Sequence, residues 1–118
     1  MGRVVHFEIP VENFERSMDF YRKVFGWNFQ PYGEDYIFAS TGKEGEMGID
    51  GALMKRTPES SRVTNAIGVA SIDETIAAIE ANGCKIVVPR MTVGDMGHLA
   101  YFADPDGNVH GIWEPIQQ

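Results

Sequence analysis

The sequence predicts an α+β fold of two tandem βαβββ modules, and three observations predict it. Residues 4–27, VVHFEIPVENFERSMDFYRKVFGW, switch from a hydrophobic period of two to a helical period within one stretch. An offset of 58 residues, close to half of the 118 in the chain, lays a second copy of that pattern on the first. After each helix, turn residues divide the remaining apolar sequence into three short strands.

The first element is a strand over residues 4–9, where Val5, Phe7 and Ile9 share one face and His6 and Glu8 the other. Phe14, Met18, Tyr21 and Phe25 then recur at helical spacing and form an apolar stripe. Asn13 supplies the N-cap, Glu15 complements the helix dipole in the first turn, and Gly26 provides the left-handed stop. Residues 27–30 and 36–39 read as strands on either side of a turn at 31–35, with Trp27 and Phe29 assigned to packing. Three glycines among alternating charges make 41–48 a loop, and 49–54 is the last strand of the unit. Pro58 and the paired serines mark a linker at 58–62. Module one is thus residues 1–57 and module two residues 63–118 of a single domain.

In the second module Ser71 falls on Asn13, Ile72 on Phe14, Ile76 on Met18 and Ile79 on Tyr21, and Ser71 with Glu74 predicts a capping box. Thr64 takes the place of His6 in the strand before this helix, which stops at Gly83. Residues 84–88 form the next strand, ended by Pro89, and Cys84 is assigned to that strand rather than to nucleophilic chemistry. The segment 90–97, with two methionines and two glycines, is expected to be a mobile loop. Strands at 98–103 and 108–114 flank Asp104-Pro105-Asp106-Gly107, a turn in which proline sets the first bend and glycine takes positive φ. Asp104 and Asp106 are therefore read as turn formers.

Composition bounds the function. A hydrophobic fraction of 43% and a charged fraction of 23% are those of a folded globular chain. The net charge of −7, without a basic stripe, predicts no nucleic-acid partner and no anionic-membrane partner. No signal-like or membrane-spanning apolar run is present, so the expected localisation is cytoplasmic.

A strand carrying an early histidine, FYRKVFGW at the end of the first helix, Asn82-Gly83 at the end of the second and FADPDGN before the final strand together resemble the vicinal oxygen chelate superfamily. That superfamily includes glyoxalase I, the bleomycin and fosfomycin resistance proteins and the extradiol dioxygenases, and this chain is most similar to its short glyoxalase-like members. The resemblance implies that the two modules curl into a half-open sheet with the site inside the curl. It also implies up to four metal ligands, on the first and last strands of each module. Those positions fall on His6, on Gly51 or Ala52, on Thr64 and on Gly111. His6 alone is a strong donor, so no metal site is predicted and no cofactor is expected, a divalent metal being disfavoured on ligand count. A one-residue slip of register would bring in Asp50 and His110, but it would also turn Ile112 inward.

What remains is a cavity wall of His6, Glu8, Thr64, Ala66, Val109, Gly111 and Trp113, with Met54, Met91, Met96 and His98 at the rim. Trp113 offers a flat contact for a planar ligand and the methionines adapt to shape, although packing accounts for both equally well. Two functions follow. The first is a metal-free binding protein for a small, planar or hydrophobic molecule, as in the resistance-type relatives. The alternative is a lyase or isomerase of the glyoxalase type, or a dioxygenase-like enzyme, with His6 as base or metal ligand and Glu8 raising its pKa and orienting it. Exposed sheet edges and the habit of the superfamily imply a homodimer.

Overall fold

Helices α1 (Phe14–Phe25) and α2 (Ile72–Ala81) start 58 residues apart in the computed structural model, which describes residues 2–116. Both caps form as their sequences dictate. Asn13 Oδ1 accepts the Arg16 N–H at 3.0 Å, and Ser71 Oγ accepts the Glu74 N–H at 3.2 Å, each satisfying a donor that the first helical turn leaves open. Gly26, at φ +74°, ends α1 and donates its N–H to the Arg22 carbonyl at 3.0 Å. The start of α2 has a contributor that the local sequence did not announce: Glu114, 42 residues on, accepts the Ile72 N–H at 2.8 Å.

The chain divides into two compact units, His6–Val63 and the residues from Thr64 together with the start of the first strand up to Val5. In the first unit the strand order is β2 (Asn28–Pro31), β3 (Tyr36–Ser40), β4 (Gly51–Lys55), β1 (Arg3–Val11), with β1 and β4 parallel and the other pairs antiparallel. One face of this sheet packs on α1. Val11, Met18, Ile37 and Leu53 form its core, with Ile9, Phe14, Tyr21 and Phe29 against them. Since Ile9 and Val11 face the helix, strand alternation turns His6 and Glu8 to the opposite, helix-free face. Phe25 departs from the expected stripe. As the last helical residue it is 59% exposed, its ring lying near Phe20, Tyr21 and Trp27 rather than in the core. Trp27 packs as expected, stacked on Tyr21 at 4.6 Å between ring centroids.

The second unit repeats the plan with β5 (Thr64–Gly68), β8 (Val109–Pro115), β7 (Gly97–Ala103) and β6 (Lys85–Val93) in that order, β5 and β8 parallel. Val69, Ile72, Ala100 and Ile112 are its core, backed by Ile67, Ile76, Ile79 and Phe102. The turn between β7 and β8 is held by Asp104. Its carboxylate accepts the N–H groups of Asp106 at 3.0 Å and Asn108 at 2.8 Å and the Asn108 side-chain amide at 3.1 Å, while Gly107 sits at φ +84°. The Asn108 side-chain bond is the largest of the effects that hold the Asp104 carboxyl below the usual range. Asp104 thus does the work of a turn former.

Strand β6 corrects two expectations. Pro89 does not end it, and residues 90–93 are strand rather than mobile loop. The pairing with β7 shifts between Ile86 and Val88 and again between Val88 and Met91, so irregular register absorbs the proline. β6 also ends the strand order, where a missing N–H removes no bond from a second neighbour.

Candidate functional site

On the helix-free face of the first unit, neighbouring strands bring together residues far apart in sequence. Register pairs Glu8 with Ala52 and Ala52 with Phe38, and pairs Pro10 with Met54 and Met54 with Tyr36. The small side chain of Ala52 leaves the Tyr36 ring room to cross β4 toward β1. The Tyr36 hydroxyl donates to Glu8 Oε2 at 2.7 Å and lies 2.8 Å from His6 Nε2. The His6 and Tyr36 rings are nearly parallel, 11° apart at a centroid distance of 6.5 Å. Glu8 is only 6% exposed, the one buried charged residue among those described. Its burial fits the rule that a buried polar group comes with hydrogen-bond partners.

This arrangement changes the expected electrostatics. Glu8 does raise the His6 pKa, and so does Asp50, but desolvation by burial outweighs both and holds His6 below its ordinary value. The result is an imidazole that stays neutral near pH 7. The link between His6 and Glu8 also runs through Tyr36, a residue that the sequence alone assigned only to a strand. Nothing local in the sequence shows that β3 lies two strands from β1.

The other predicted site residues fall in separate places. Met54 shares the face of His6 and Glu8. In the second unit, Ile67 and Ile112 pack toward α2, which leaves Thr64, Ala66, Gly111 and Trp113 on the helix-free face. Leu99 pairs with both Trp113 and Met91, so Met91, 42% exposed, extends that row. Met96 lies in the turn before β7 and is 37% exposed. His98 is not brought to this row: it pairs with Glu114, the α2-capping residue, and its Nδ1 lies 3.0 Å from Thr92 Oγ1. Trp113 has a packing role, for its ring lies where a Cβ on Gly97 would stand, 2.5 Å from that position.

A divalent metal of the kind implied by the resemblance does not fit the residues present. Of the implied positions, Ala52 and Gly111 carry no donor side chain and Thr64 only a hydroxyl, which leaves His6 as the one strong donor among them. Asp50 Oδ1 accepts the Thr41 N–H at 2.8 Å. His110 pairs with Phe102 on the α2 side, so the register slip that would have offered it as a ligand does not occur. Among the described residues no three His, Cys, Asp or Glu side chains are grouped to hold a metal ion.

Comparisons with known proteins agree with this architecture. A family model described as the Glyoxalase/Bleomycin resistance protein/Dioxygenase superfamily matches residues 3–111. A glyoxylase-like domain-containing protein of Didymella fabae is 30% identical over 118 residues, covering 94% of this chain and 92% of the relative. Among solved structures, a single-residue variant of Streptomyces coelicolor methylmalonyl-CoA epimerase in complex with 2-nitronate-propionyl-CoA superimposes with a TM-score of 0.72 at 18% identity over 99% of both chains. An extradiol ring-cleaving dioxygenase from B. fuscum gives a TM-score of 0.75 at 20% identity, covering 99% of this chain and 33% of that one. The structural likeness carries the α+β fold, and the family match carries kinship. By its repeated βαβββ units and by that match over nearly its whole length, the chain belongs to the glyoxalase/bleomycin resistance protein/dioxygenase superfamily.

Proposed function

We propose that this protein binds a small organic molecule at His6, Tyr36 and Glu8 on the helix-free face of its first unit, without a tightly held metal ion. The observation that carries this reading is the hydrogen-bonded series His6, Tyr36, Glu8 set among Pro10, Phe38, Ala52 and Met54. A few convergent polar groups orient a ligand, and the partly exposed Phe38 and Met54 supply the apolar area that it buries. Within the second unit, the helix-free face with Thr64, Met91, Gly111 and Trp113 is a separate candidate surface. That the epimerase neighbour is a complex with an acyl-CoA analogue supports a small-molecule role.

The test is thermal stability of chelator-treated protein against a panel of aromatic and thiol-conjugated small molecules. A ligand at about a hundred times its Kd stabilises by about 2.7 kcal/mol through mass action. The wild type is expected to gain stability from at least one class of compound and His6→Ala to lose that gain. Equal gains in both proteins, or no gain across the panel, would contradict the proposal.

The neutral imidazole favours a second reading: His6 accepts a proton from a carbon beside a carbonyl, as a lyase or isomerase requires. Product formation from any stabilising carbonyl compound, lost in His6→Ala, would distinguish that enzyme from a binding protein. No helix among the described residues is long and apolar enough to cross a membrane.

A further inference from the structure

We infer that Tyr36 is a positioning residue that fixes His6 as the Nε2–H tautomer, so that the site offers Nδ1 as an acceptor to a neutral ligand bearing an N–H or O–H donor. This rests on the reading of His6, Tyr36 and Glu8 as a ligand site and adds the chemical class of the ligand.

The inference follows from proton counting. A phenol has one proton, and the Tyr36 hydroxyl donates it to Glu8 Oε2 at 2.7 Å. Its oxygen therefore meets His6 Nε2, 2.8 Å away, as an acceptor, and that nitrogen carries the hydrogen. In a neutral imidazole the other nitrogen then holds a lone pair. His6 Nδ1 has no hydrogen-bond partner among the described residues. The buried nitrogen that lacks a partner there is His110 Nδ1, so Nδ1 of His6 is open to solvent or to a ligand.

Charge narrows the ligand further. The Glu8 and Asp50 carboxylates both act on His6, and a second anion placed against Nδ1 would meet their repulsion. An ester or ether that only accepts hydrogen bonds would face a lone pair with nothing to donate. A phenol, imide or lactam satisfies Nδ1 and lays a flat apolar body on the partly exposed Phe38 and Met54.

Long-range proton–nitrogen correlation spectra of ¹⁵N-labelled protein at neutral pH test the inference. The expected wild-type spectrum shows His6 with a protonated Nε2 and a pyridine-like Nδ1. Tyr36→Phe removes the acceptor and should give a mixture of tautomers. Glu8→Gln keeps the phenol while letting the amide donate to it, and should shift His6 toward Nδ1–H even if the phenylalanine variant folds poorly. A protonated Nδ1 in the wild type, or a His6 signal unchanged in both variants, would overturn the tautomer assignment.

Matched probe pairs, phenol with anisole and succinimide with its N-methyl derivative, test the ligand class on the same sample. The donor of each pair is expected to shift the Nδ1 resonance and its methylated partner to leave it in place. Equal responses would overturn the ligand class. Silence from all four would overturn the ligand class, while the thermal-stability panel decides the binding reading and the nitrogen signals of the unliganded protein decide the tautomer.

Discussion

Leu53→Ala is expected to lower the stability of the folded chain by about 2–5 kcal/mol, the range seen when a buried leucine leaves a cavity. Leu53 is 0% exposed and sits in β4 between two partners, in register with Ile9 of β1 and Ile37 of β3. Val11 and Met18 close the same core from β1 and α1. A strand bounded on both sides and roofed by a helix cannot collapse far into the space left behind, which places the cost toward the upper part of the range. The urea midpoint should fall while the slope of the transition stays the same. A loss of less than about 1 kcal/mol, as for a surface substitution, would show that the core is not organised around this residue.

Gly51→Ala comes next in expected size, at about 1–3 kcal/mol by the usual cost of overpacking. A Cβ there would lie 2.5 Å from the Phe7 ring and 2.5 Å from the Phe7 carbonyl oxygen, and backbone cannot rotate away as a side-chain tip can. Gly111 provides the comparison. Its nearest neighbour would be the Tyr101 ring edge at 3.2 Å, a side chain able to yield, so Gly111→Ala should cost less. Parallel chemical-denaturation curves of the two variants decide the matter, and a Gly111 variant as destabilised as the Gly51 variant would contradict it. The contrast bears on function. Gly51 is in register with Phe7, so its small size serves packing on that side of β4, whereas Ala52 is the residue that shares the face of Glu8.

The helices, their caps, the duplication and the Asp104 turn were legible because each depends on residues within a few positions of one another. Asn13 and Ser71 cap from three residues away, and the 58-residue offset survives in the observed helix starts. What escaped the sequence depended on neighbours remote along the chain. Pro89 reads as a stop until the shifts in its pairing with β7 are known. Glu114 looks like a strand residue until β8 delivers it to the start of α2. The polar series of the candidate site is the clearest case, because Tyr36 lies 30 residues from His6 and 28 from Glu8. Period-2 alternation put His6 and Glu8 on one face, but only the strand order β3, β4, β1 and the small Ala52 between them bring in the phenol. Alternation likewise could not separate His98 from the Trp113 row, since its facing depends on pairing with Glu114.

The electrostatic expectation was right about Glu8 and lacked the larger, opposing effect. The carboxylate beside an imidazole was visible in the sequence, and it does push the His6 pKa upward. Burial of the ring pushes it down by more, and burial is a property of the folded sheet.

The affinity of a ligand found by thermal stabilisation, measured by titration calorimetry before and after exhaustive chelation, tests the central claim most directly. A site built from His6, Tyr36 and Glu8 predicts the same affinity in both samples, with elemental analysis finding far less than one equivalent of metal throughout. Binding that vanishes on chelation and returns with one equivalent of a divalent ion would contradict it.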